Sequence, residues 1–155
     1  MDNLHLFGWL LLRVTYAGMY LLPINGLLKK WKGTVRATSM LFSWQPQYFA
    51  ALACLCMAIG SLSILFGFYG QIGGLLLFIF NLGGAMIHFR CAEFASKVPL
   101  NPELPKEAQD TVMQLKTLAM IGHKPSAQKN FVLAAVALFF FFNGTGPLSL
   151  TPNLF

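Results

Sequence analysis

The chain has 155 residues, 56% of them hydrophobic and only 10% charged, with 11 Lys and Arg against 5 Asp and Glu, a formal net charge of +6. Soluble domains carry about 25% charged residues, so the composition excludes an ordinary water-soluble globule and fits a chain dissolved in lipid. The basic excess does not point to nucleic acid. It is confined to segments flanking apolar runs, where Lys and Arg set membrane topology and meet anionic lipid.

Four apolar runs organise the chain, at residues 4–28, 49–68, 71–89 and 126–143. A bilayer span needs about 18 apolar residues or more. The expected fold is therefore all-α: an integral-membrane four-helix transmembrane bundle, one domain over residues 1–155. The connection 29–48 carries Lys29, Lys30, Lys32 and Arg36, and the segment from Arg90 to Asn130 carries Arg90, Lys97, Lys106, Lys116, Lys124 and Lys129. The start, the link at Tyr69–Gly70 and the end carry none. The positive-inside rule then places the loops 29–48 and 90–125 in the cytoplasm and both termini outside.

The first run is too long for a signal peptide and lacks a basic start and a small-residue cleavage site, so it reads as a retained span. Pro23 is expected to kink it, because Pro removes a helix hydrogen bond. Lys29, Lys30, Trp31 and Lys32 follow as a membrane-surface anchor, and residues 33–45 could form a short helix lying on the membrane. Pro46 opens the second span. Cys54 and Cys56, two apart on a helix, point roughly 200° apart, and Cys91 stands alone. No Cys or His spacing suits a metal, so none is expected, and the three cysteines read as free thiols.

Spans two and three are joined by a Gly-rich hairpin. Gly70, Gly74, Asn81, Gly84 and His88 share one face of span three, and the three glycines read as helix-packing positions. In the long loop, Pro99, Pro102 and Pro105 predict an extended start. Leu104, Ala108, Val112, Leu115 and Leu118 then recur at helical spacing. They predict an amphipathic helix on the cytoplasmic surface, ended by Gly122 and Pro125 before span four.

Arg13 is the sharpest candidate for function. Nine residues past Leu4, it is expected about 14 Å into the bilayer, near the middle of a core about 30 Å thick. A charge there must face inward and find acceptors. Matching depths predicts a polar cluster of Arg13, Tyr16, Asn81 and Asn143. It would either fix helix register or bind an anionic or carbonyl-bearing ligand such as a quinone. His88, at the inner end of span three, could shuttle protons, whereas His5 and His123 are expected in solvated positions. Nucleotide loops, nucleophile elbows and intramembrane carboxylates are absent from the sequence. Glu93, Glu103, Glu107 and Asp110 all fall in one loop, which weighs against a cation-coupled transporter.

Several segments together resemble the DoxX family of four-span membrane proteins. They are Leu12-Arg13-Val14 with Gly18 and Asn25-Gly26-Leu27-Leu28-Lys29, then Met86-Ile87-His88-Phe89, and Gly144-Thr145-Gly146-Pro147-Leu148-Ser149-Leu150. The tail departs from the family pattern in having Pro147 and Thr151 where a basic residue and an Asp often stand. The resemblance implies a subunit of a quinone-linked oxidoreductase assembly in the bacterial inner membrane. Arg13, Lys29, His88 and Ser149 are the positions it picks out. On that reading the chain is an accessory or docking subunit, with no covalently bound cofactor and with other membrane subunits and anionic lipid as partners. The alternatives are an oxidoreductase subunit that itself binds quinone, or a small carrier of lipid or amphipathic molecules.

Overall fold

A computed structural model describes residues 3–151. They form five helices: α1 (Asn3–Lys29), α2 (Trp31–Thr38), α3 (Pro46–Phe66), α4 (Gly70–Lys97) and α5 (Lys106–Asn143). No strand occurs among the described residues. All but α2 are long and apolar enough to cross a membrane, and the molecule is an all-α transmembrane bundle. The chain order makes two ends. The tail end holds the start of α1, the α3–α4 turn and residues 144–151. The basic end holds Lys29, α2 and the α4–α5 connection.

Local signals explain where the helices stop. Pro46 takes the first turn of α3, where its missing N–H costs nothing. Gly67 ends α3 in the left-handed region at φ +63°. Its N–H reaches the Ile64 carbonyl at 3.2 Å, and the Phe68 N–H reaches Ser63 at 3.0 Å, the Schellman pattern. Only two residues, Phe68 and Tyr69, separate Gly67 from α4.

The outside of the bundle is as apolar as its centre. Tyr16, Tyr20, Met57, Ile64, Leu77, Ala137 and Phe140 make the central cluster. Leu10, Leu11, Val14, Leu52, Leu55, Ile59, Ile79 and Val132 remain exposed on the outside. Lipid solvates such side chains as well as a protein core does, so association rests on close packing of small residues. Ala17, Ala50, Ala85 and Ala137 are fully buried. A side chain built on Gly74 would start 2.7 Å from the Ala137 carbonyl and the Phe141 nitrogen, and one on Gly70 would strike the Thr145 side chain. Gly84 sits 2.7 Å from the Asn130 amide by the same measure.

The largest interface is the antiparallel seam of α4 with α5. Both helices carry inward positions at alternating spacings of four and three: 70, 74, 77, 81, 84, 88 and 91 on α4, and 116, 120, 123, 127, 130, 134, 137 and 141 on α5. That is the repeat of helices wound at a shallow angle. The rows meet in register, with Gly74 on Phe141, Gly84 on Asn130 and His88 on His123. At the basic end, Lys116 Nζ donates to the Val98 carbonyl at 3.1 Å.

One expected boundary is absent. Gly122 and Pro125 do not end the helix before span four, because α5 runs through both as 38 continuous residues, about 57 Å at 1.5 Å per residue. Pro125 costs an interior helix about 3 kcal/mol. The contact of His123 with α4 and that of Lys116 with Val98 just past its end, both on the N-terminal side of Pro125, oppose that cost and hold the two halves in one rod. The carbonyl that Pro125 deprives of its helix donor is that of Ile121, and Ser126 Oγ donates to the adjacent Gly122 carbonyl at 2.8 Å. α4 is also long, at 28 residues. If 71–89 and 126–143 fill a hydrocarbon layer of about 30 Å, residues 90–125 continue beyond it as a helical hairpin. Within it, Lys97 Nζ meets Glu93 Oε1 at 2.6 Å, which holds the exposed Glu93 carboxyl below its usual range.

Candidate functional site

The residues singled out in the sequence fall into three groups at three levels of the bundle. Arg13 is at the tail end. It is only 3% exposed, and its guanidinium is spent on backbone carbonyls. Nε donates to Ile64 at 3.1 Å, Nη2 to Leu65 at 2.7 Å and Nη1 to Leu148 at 3.0 Å. Two of those carbonyls belong to the last turn of α3, where a helix leaves acceptors without partners and carries partial negative charge. In a bilayer such groups must be satisfied by protein, so Arg13, reaching from α1, satisfies terminal carbonyls of α3 beyond what Gly67 does.

Residues 144–151 complete this corner. Gly146, at φ +85°, brings the backbone against the Trp9 ring, where any β-carbon would start 2.5 Å from the indole. Trp9 also stacks on Phe139 with centroids 5.3 Å apart. Thr145 Oγ1 and Ser149 Oγ lie 2.7 Å apart, and Ser149 Oγ donates to the Gly146 carbonyl at 2.6 Å. Thr151 N donates to the Gly67 carbonyl at 3.1 Å, and Tyr69 N donates to Thr151 Oγ1 at 2.8 Å. A β-carbon on Gly67 would start 2.6 Å from Ser149 Cα and 2.8 Å from Arg13 Nη2. Arg13 and Ser149, far apart in sequence, thus converge on one glycine.

Arg13 is therefore not at the middle of the bundle, where counting from Leu4 put it. The first turns of α1 lie beside the tail and the end of α5, so nine residues of α1 reach only the last turn of α3. The middle is held by a second group. Tyr16 Oη donates to the Leu133 carbonyl at 2.6 Å. Asn81 Nδ2 donates to the Leu77 carbonyl at 2.6 Å and to Tyr20 Oη at 2.7 Å. The single Tyr20 hydroxyl hydrogen faces both Tyr16 Oη at 3.2 Å and Asn81 Oδ1 at 3.0 Å. Tyr20 is seven residues past Arg13, about 10 Å further along α1. Asn143 is exposed at the end of α5, and its amide donates to Phe139 of its own helix at 3.0 Å. The expected single cluster of Arg13, Tyr16, Asn81 and Asn143 is thus divided between a tail-end cap, a central network and a helix terminus.

The third group was not expected. His88 Nδ1 and His123 Nδ1 lie 3.0 Å apart across the α4–α5 seam, with ring centroids 5.3 Å apart. His123 was placed in a solvated loop because Gly122 and Pro125 were read as a helix stop. The available signal was the four-and-three spacing of inward positions across Pro125, which puts 123 in the same row as 127, 130, 134 and 137. His5 accepts from Trp9 Nε1 at 3.2 Å. Of the basic anchor, Lys29 and Lys30 are exposed and Trp31 is half-buried at the start of α2. Cys91 Sγ lies 3.9 Å from Met40 Sδ, joining α4 to the segment after α2.

An apolar groove of about 490 Å³ opens on the outer face beside the α3–α4 turn, lined by Ile59, Leu62, Phe66, Ile72 and Leu150 among others. Among the described residues, no three His, Cys, Asp or Glu side chains gather in a metal-holding group. Comparison of the chain with protein-family models, with curated proteins and with solved structures finds no match in any of the three, so function has to be argued from the geometry.

Proposed function

We propose that the chain is a DoxX-like integral membrane subunit that docks other subunits of a quinone-linked redox complex in a bacterial inner membrane, with both termini outside and the basic end against anionic lipid. One observation carries the docking role. The buried Arg13 at the tail end and the buried Tyr20 and Asn81 in the middle are taken up by the protein's own backbone and side chains, while the outer surface is broadly apolar. A subunit built this way works through its surface. The convergence of Arg13 and Ser149, two positions picked out by the resemblance, supports the DoxX-like reading. A quinone held by Arg13 would have to displace three backbone carbonyls, which weighs against Arg13 as the ligand-binding residue of an enzyme in its own right.

The test is extraction of the native protein in mild detergent and identification of what travels with it. Recovery in fixed ratio with flavin-, haem- or iron–sulfur-bearing subunits is the expected result. Recovery alone, together with lipid flux into vesicles containing only this protein, would replace the docking role with that of a carrier.

A further inference from the structure

The structure assigns a transition-metal site to His88 and His123: a bis-imidazole chelate across the α4–α5 seam that takes Zn²⁺ or Cu²⁺ through the two Nδ1 atoms. This goes beyond the docking role and does not depend on it. The two nitrogens already stand 3.0 Å apart. Two ligands on a tetrahedral zinc, each at about 2.0–2.1 Å, sit roughly 3.3 Å from one another, so the spacing is close to what the ion needs, and each ring must tilt to turn its lone pair from the other nitrogen to a point beside the line between them. The chelating atoms belong to separate helices in the most extensive interface of the fold, which fixes their separation in advance.

The proton balance is simple. In the neutral pair one imidazole carries its hydrogen on Nδ1 and donates to the other, an assignment made from the distance. Metal binding requires that hydrogen to move to Nε2 of the same ring. A neutral pair then loses no proton, whereas a protonated pair releases one or two. Affinity is accordingly expected to fall with falling pH, because protons compete with the metal for the two lone pairs.

The surroundings select the ion. Lys129 is close enough to act electrostatically on His88, and Lys124 is the neighbour of His123 in sequence. Ca²⁺ and Mg²⁺, which need oxygen ligands and negative charge, are unsuited to such a place. Zn²⁺ and Cu²⁺ bind imidazole by its lone pair and tolerate a neutral donor set. Two protein ligands, one fewer than in an open catalytic zinc site, leave the remaining positions to water or to an outside ligand. Both rings are half-buried near the basic end, within reach of ions from that side.

The experiment uses the full chain purified without a polyhistidine tag and titrated with Zn²⁺ by calorimetry at pH 7.5. One ion per chain is expected. Loss of affinity of roughly tenfold or more should follow from either His88→Gln or His123→Gln, and none from His5→Gln. Zn²⁺ should also raise the thermal unfolding midpoint of the parent chain and leave that of the double variant where it was. Cu²⁺ in the same protein should show coupling to two nitrogens by electron paramagnetic resonance, and to fewer in each single variant. Parent affinity equal to that of a folded double variant would overturn the assignment. So would copper spectra unchanged by removing either ring.

Discussion

Arg13 shows how an intramembrane charge can be structural. Its burial is costly, with about 2.5–3.5 kcal/mol on insertion scales for a central position as the upper bound for one nearer an end. The cost is met by acceptors that would themselves be unsatisfied without it. Ile64 has a second donor in the Gly67 N–H. No donor other than the guanidinium reaches Leu65 or Leu148 from outside its own helix or loop among the contacts described. Removing it therefore leaves two acceptors bare at about 1–3 kcal/mol each. Arg13→Ala is expected to lower stability by about 3 kcal/mol, read as a fall in the thermal midpoint of detergent-solubilised protein. Arg13→Lys, with a single ammonium in place of a planar fork, should recover only part of it. An Arg13→Ala chain as stable as the parent would remove the capping role. Gly67 belongs to the same corner, and Gly67→Ala is expected to loosen residues 144–151, because its β-carbon would collide with Ser149 backbone.

The α4–α5 pair carries the architecture at the scale of elements. A side chain at Gly74 meets backbone atoms of α5, which cannot swing away, whereas Gly83 has open space around it. Gly74→Val is expected to force the helices apart and destabilise the fold by about 2 kcal/mol or more. Gly83→Ala should be neutral or gain up to about 1 kcal/mol in helix propensity. Thermal melts of the two variants side by side separate close packing from a general dislike of substitution. Pro125 gives the complementary test. Since α5 is already continuous there, Pro125→Ala restores a missing hydrogen bond without rearrangement and is expected to raise the thermal midpoint. A fall would mean that a break at Pro125 is part of the native state. These same residues show what the sequence could convey. The presence of four long apolar helices and the glycine face of α4 are local properties and were legible directly. The continuity of α5 was not, because Pro125 is a strong local stop signal and the contacts that override it come from another helix. His123 was misplaced for that reason alone. The depth of Arg13 was misjudged because counting along α1 says nothing of how far α1 overhangs its neighbours.

For the molecule as a whole, the asymmetry of charge and the length of two helices make one joint prediction. Ten of the eleven Lys and Arg lie in or beside the two long connections, and the proposed orientation, with the basic end in the cytoplasm, rests on that asymmetry. α5 then runs about 57 Å, longer than the hydrocarbon layer by several turns. Its excess must lie on the basic side, because the apolar residues 126–143 and the tail-end corner fix the other end. Leu115, Leu118 and Ile121 are exposed on that excess, and they belong to a rod held against α4 by His123 and Lys116. Single cysteines introduced into a chain lacking Cys54, Cys56 and Cys91 read this out with a membrane-impermeant maleimide. Lys32→Cys, Leu115→Cys and Ile121→Cys are expected to label from the cytoplasmic face, in inverted vesicles and not in intact cells. Leu150→Cys should label from the opposite face. Labelling of Lys32→Cys from outside would reverse the orientation while leaving the fold intact. Protection of Leu115→Cys and Ile121→Cys from both sides, with Lys32→Cys labelled normally, would instead mean that the hairpin is buried in lipid or covered by a partner, and the same vesicles stripped of peripheral proteins would tell the two apart.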